Sequence, residues 1–203
     1  ARQPGKSTLL MQRFPEAKYY DLLESDLYER FRRQPSLLRN ELSMIDSKTL
    51  IIIDEIQKIP ELLDEVHWLM SRRNMRFVLS GSSARKLRRC GANLLGGRAI
   101  RQQLFPFVSA EIPDFNLSRA INNGMLPRHY LIENPAKRLQ AYVGDYLREE
   151  IKEEALTRNI ASFSRFLETA AINDGEILNY NNIATDCGVS APTVKEYFSI
   201  LEE

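Results

Sequence analysis

The eight residues ARQPGKST at the start of the chain carry the types and spacing that chemistry would need. They match the phosphate-binding loop pattern G-x-x-x-x-G-K-[ST] from its second position onward. In such a loop, successive backbone N–H groups wrap a β-phosphate, so Gln3, Pro4, Gly5, Lys6, Ser7 and Thr8 are the candidate nucleotide contacts. Lys6 would reach the β- and γ-phosphates and act in catalysis, and the Ser7 hydroxyl would ligate Mg²⁺. The first glycine of the pattern would fall one residue before Ala1. The expectation is therefore a sequence that begins inside its motif.

A second group lies at Ile51-Ile52-Ile53-Asp54-Glu55, an apolar strand ending in two carboxylates. Asp54 would hold Mg²⁺ through water or through Ser7, and Glu55 would orient and activate the attacking water. Each motif alone also has a bland reading, as an ordinary Gly-Lys turn or an acidic strand end. The two in this order, with strand and helix between them, point to nucleotide hydrolysis. A third group is Ser80-Gly81-Ser82-Ser83. A hydroxyl here, that of Ser82 or Ser80, would help position the water; the competing reading is a turn of small residues. Arg98 stands among glycines and small residues. It is a candidate arginine finger, acting in cis or across a homo-oligomer, against the alternative of a plain surface arginine. His67 and His129 have no partner at metal-ligand spacing, so the only metal expected is nucleotide-bound Mg²⁺.

These residues need a scaffold. The Thr49–Ile53 and Arg76–Ser80 segments read as strands buried on both faces, with Lys18–Leu22 as a third. Helices are expected at Lys6–Arg13, Asp26–Arg33, Pro35–Ile45 and from Pro60 to Arg72. Strand and helix alternating through short loops argue for an α/β fold with a doubly wound parallel sheet. Ala99–Phe105 is a further strand candidate. Pro135–Arg158 reads as one long helix with Leu139, Tyr142, Val143, Tyr146, Leu147 and Ile151 on its stripe. Beyond it, Ser162–Ile172 is helical and Glu176–Tyr180 is a short strand candidate. Residues 181–201 have the shape helix, glycine turn, helix. The expected organisation is a nucleotide-binding core over 1–108, a helical connector over 109–158 and a partial helix-turn-helix module over 159–203.

Composition sets the limits. The 203 residues are 43% hydrophobic and 27% charged, ordinary for a globular protein with a real core. No apolar run is long enough to cross a bilayer. Two cysteines, Cys90 and Cys187, lack metal-ligand spacing and read as free thiols of the cytoplasm. The net charge of +1 hides an asymmetry. Residues 72–101 carry nine basic side chains and no acidic one, whereas residues 159–203 have a balance of −5. The would-be recognition helix is thus acidic, which makes DNA the weaker of its readings and a lid or protein client the stronger.

The segments ARQPGKSTLL, TLIIIDEIQKIPELLDEV, FVLSGSSARKL, LLGGRA followed by LFPF, and NYNNIATDCGVSAPTVKEYFSILEE together resemble a group of prokaryotic AAA+-superfamily ATPases. These join a P-loop NTPase core to a C-terminal winged-helix-like domain of unknown function, of the DUF4143 type. The resemblance implies that Lys6, Ser7, Asp54 and Glu55 bind and hydrolyse ATP; ATP over GTP rests on it alone. It also implies a strand before the loop and more of the C-terminal domain than the sequence holds. The expected function is an ATPase coupling Mg-ATP hydrolysis to movement of the C-terminal part. The alternatives are a slow nucleotide-gated switch and a DNA-binding regulator.

Overall fold

A computed structural model describes residues 5–81, 97–146 and 160–201. The chain divides into two compact units. One comprises Ala1–Asn116 with Met125–Arg128, the other Leu117–Gly124 with His129–Glu203.

In the first unit, helix α1 (Lys6–Arg13) leads to strand β1 (Lys18–Asp21), then α2 (Ser25–Arg33) and α3 (Leu37–Leu42). Strand β2 (Leu50–Asp54) passes through a 3-10 turn, Ile56–Lys58, to α4 (Leu62–Arg73) and β3 (Arg76–Leu79). The three strands form one parallel sheet in the order β1-β2-β3. Its register pairs Asp21 with Asp54 and Ile53 with Leu79. Parallel strands need crossover connections, and α2–α3 and α4 supply them.

Side chains alternate across a strand, so this register sorts the residues by face. Tyr20, Ile51 and Ile53 enter a cluster with Phe31, Leu38, Leu42, Leu62, Leu63, Val66 and Leu69. Ile52 is equally buried but points the other way, on the face shared with Tyr19 and Asp54. A strand buried on both sides needs an unbroken apolar run, and the three isoleucines of β2 are that run. Cationic side chains tie the helices around this core. Arg73 donates to the carbonyls of Leu42 (2.6 Å) and Ile45 (3.2 Å), satisfying the C-terminal end of α3. Arg39 pairs with Glu65 at 3.5 Å and lies 5.0 Å from the ring centroid of Trp68. α4 ends on Asn74, whose φ of 53° is the left-handed conformation that asparagine tolerates better than most residues.

Ala99–Phe105 is not a strand. Ile100 is 87% and Phe105 67% exposed, so the segment buries no face, and Arg101, Gln102 and Gln103 interrupt its apolar character. A single 3-10 turn, Ser109–Glu111, follows.

All the secondary structure among the second unit's described residues is helical. The unit contains α5 (Leu117–Asn123), the second half of the short α6 (Pro127–Tyr130), α7 (Ala136–Ala141), α8 (Ile160–Ile172), α9 (Tyr180–Cys187) and α10 (Ala191–Leu201). The long helix expected over Pro135–Arg158 gives way after Ala141 to a π turn, Tyr142–Tyr146, at a segment containing Gly144; residues 147–159 lie outside the description. Glu176–Tyr180 is likewise not a strand. Asn179 instead caps α9, its side chain accepting from the N–H groups of Asn181 (3.1 Å) and Asn182 (3.3 Å). α8, α9 and α10 close around Phe163, Phe166, Ile183, Cys187, Val194 and Tyr197. Gly188 makes the turn between α9 and α10 at φ 65°, a conformation that costs glycine nothing. Cys187 is a buried free thiol.

Candidate nucleotide site

The C-terminal ends of parallel strands lie along one edge of their sheet, and ligands in such folds bind in the crevice beyond that edge. Here the edge carries Asp54, and four donors converge on its carboxylate. The hydroxyls of Ser7 and Tyr19 both reach Oδ2, each at 2.5 Å. The Ser80 hydroxyl and the N–H of Glu55 (3.0 Å) both reach Oδ1. Asp54 is only 1% exposed. Burial pushes its carboxyl up, but the bonds from Ser7, Ser80, Tyr19 and Glu55 outweigh that and hold it below the usual carboxylate range. The four donors thus favour the charged form of this buried carboxylate.

Each donor has a reason to be there. Ser7 is the second residue of α1, and its bond to Asp54 brings the start of that helix to the sheet edge. Gly5 caps α1 at φ 96° and ψ 20°, and nothing lies within 4 Å of where a side chain would begin. The glycine is needed for that backbone conformation, and the space beside it is open. Lys6 begins α1, and Thr8 is exposed in its first turn. Ser80 follows β3 directly and is anchored by its own N–H to Ile53 and its carbonyl to Ile56. Tyr19 shares a sheet face with Asp54 because the register sets it beside Ile52. Burial first, then the bond to Asp54, pushes the Tyr19 phenol up, so it remains a donor at physiological pH.

Glu55 turns away from the strand in the left-handed region, φ 58° and ψ 39°. Such a conformation costs a non-glycine residue about 1–3 kcal/mol and clusters at functional positions. Gln57 donates its side-chain amide to the Glu55 carboxylate.

The structure thus brings Ser7, Asp54 and the Glu55 backbone together with Ser80, one of the two serines considered for positioning water. Gln3, Pro4 and Ser82 lie outside the described residues. Arg98 is placed elsewhere: it donates to Nε2 of His67 (2.6 Å) and to Oγ of Ser71 (3.0 Å), both on α4. Tyr19 is the residue that sequence reasoning missed. The Tyr-Tyr pair in β1 was a signal that one tyrosine faces the core and the other does not, but only the strand register shows what the second one meets.

A model of a family described as an AAA domain, AAA_14, matches residues 1–113, and one for a domain of unknown function, DUF8612, matches residues 114–203. The chain belongs to the AAA_14 family of AAA domains. Membership gives the N-terminal part of this AAA protein an ATPase-like, nucleotide-binding character. Its C-terminal part matches DUF8612 rather than the DUF4143 type that the resemblance implied. No curated protein and no solved structure matches the chain. Among the described residues no helix is long and apolar enough to cross a membrane.

Proposed function

We propose that this AAA protein is an ATP hydrolase whose turnover drives movement of the C-terminal helical part. The observation that carries the reading is the bond between Ser7 and Asp54. It joins the two motifs whose separate appearance in sequence is weak and whose meeting in space is what nucleotide hydrolysis requires. Family membership of residues 1–113 supports it independently.

The donor set fits Mg²⁺. A hydroxyl and a charged carboxylate are hard oxygen ligands, the kind this ion prefers, and Mg²⁺ is usually held by one or two such groups plus phosphate. Ser7 and Asp54 would hold it, and the bound ion would neutralise charge on the phosphate oxygens. Gly5 lets the backbone approach the phosphates, where the N-terminus of α1 favours negative charge. Lys6 would supply a positive charge at the same end. Glu55, just beyond Asp54, would orient water and accept its proton. Arg98 would serve as a finger only after leaving its partners on α4.

Binding of a fluorescent ATP analogue with Mg²⁺ tests the reading in the full-length protein. Saturable binding that is lost in Lys6→Ala is expected; equal binding by both proteins would reject Lys6 and the loop as the site. A slow switch and a turning-over motor are separated by Glu55→Gln, which should trap ATP. Trapping abolishes a motor's output and holds a switch on.

A further inference from the structure

We propose that Tyr19 is a positioning residue of this site, holding Oδ2 of the Asp54 carboxylate in place from the neighbouring strand. The inference rests on the nucleotide-site reading above and extends it to a residue outside both motifs.

Ser7 and Tyr19 donate to the same oxygen, Oδ2. A hydroxyl has two lone pairs beside its O–H, so Ser7 could ligate a cation while still donating to Oδ2. Tyr19 is the second donor to that oxygen, and it comes from outside both motifs. It sits on β1, which is hydrogen-bonded to β2 along its length, with Tyr19 opposite Ile52 and Asp21 opposite Asp54. The phenol is therefore held by the sheet, independently of α1, which carries Ser7. Ser80 and the Glu55 N–H fix Oδ1 in the same way from β3 and from the chain. Together they clamp one oxygen, and Tyr19 alone of the strand residues orients the other. Partners of this kind behind a metal ligand set both its direction and its charge.

The probe is an ADP analogue whose fluorescence reports binding, titrated with Mg²⁺ in the full-length protein and read at equilibrium. Tyr19→Phe removes only the hydroxyl. It should raise the Mg²⁺ concentration for half-maximal enhancement of binding about tenfold, the low end for losing such a partner. Affinity without Mg²⁺ should not change. In an Asp54→Asn background, Tyr19→Phe should add nothing, because the hydroxyl acts through that carboxylate. An unchanged Mg²⁺ requirement in Tyr19→Phe, with binding still lost in Lys6→Ala, would overturn the Tyr19 role and leave the nucleotide site standing. Weaker binding with and without Mg²⁺ alike, with a lowered melting temperature or failure to fold, would show a packing role and overturn it too. A wild-type protein that binds no Mg-nucleotide rejects both readings.

Discussion

Ser80, the residue after β3, donates its hydroxyl to Oδ1 of Asp54 at the end of β2. Both are buried, Ser80 at 7% and Asp54 at 1% exposure. The bond crosses between neighbouring strands at the edge where a ligand would bind, so it holds a deeply buried charge in place.

Ser80→Ala should therefore destabilise the first unit by about 2 kcal/mol, the usual worth of a hydrogen bond to a charged group. Urea unfolding followed by far-UV circular dichroism measures it. Ser80→Thr, which keeps the hydroxyl, should recover part of the loss. A cost near zero for the alanine would mean that the three remaining donors suffice for Asp54.

In the second unit, the turn between α9 and α10 depends on Gly188. Gly188 sits at φ 65°, and a Cβ there would make only ordinary contact with Arg165, at 3.8 Å. Space is not the obstacle; the left-handed backbone is. Gly188→Ala should cost about 1 kcal/mol, and Gly188→Asn less, since asparagine visits that region more readily. Asn179→Ala, which removes the cap of α9, should cost about 1 kcal/mol as well. Thermal denaturation of the variants checks both.

His129 gives the same unit a pH dependence. It is buried, edge-on to Tyr142 with ring centroids 5.2 Å apart. Burial first, then the charge of Arg138, depresses its pKa below the ordinary 6.5. The unfolded chain then binds a proton more readily than the folded one. Stability is full above the unfolded value and is lost as pH falls below about 6.5 toward the folded value. The melting temperature should fall between pH 7 and 5.5, and His129→Gln should flatten that slope. Equal slopes in the two proteins would remove His129 as the cause.

Much of the site was legible because its residues are tied to local pattern. Gly5-Lys6-Ser7 and Asp54-Glu55 follow a fixed chemistry, and the Ile51–Ile53 run announces a buried strand. Tyr19 and Ser80 were harder. Their roles depend on which residues of neighbouring strands stand side by side, and a shift of one residue would turn Tyr19 to the core and Tyr20 to Asp54. Ala99–Phe105 and Glu176–Tyr180 misled because short mixed segments carry weak periodicity. What decided them was tertiary: no face to bury in the first, and the capping side chain of Asn179 in the second. The π turn at Tyr142–Tyr146 left no mark in the apolar stripe, which runs through it unbroken.

Arg98 is held by His67 and Ser71 on α4, and nothing in its local sequence foretold those partners. His67→Ala and Ser71→Ala together should free the guanidinium without touching Ser7, Asp54 or Glu55. If Arg98 serves as a finger, ATP turnover should rise or hold in that double variant and fall in Arg98→Ala. Equal turnover in all three proteins would leave Arg98 a surface residue.

The most direct measurement is steady-state ATP hydrolysis by the full-length protein with Mg²⁺, compared with Lys6→Ala and Glu55→Gln. Turnover in the wild type, absent from both variants, with Glu55→Gln still binding ATP, is the expected result. Wild-type turnover no higher than that of Lys6→Ala would contradict hydrolysis at the site built by Ser7 and Asp54.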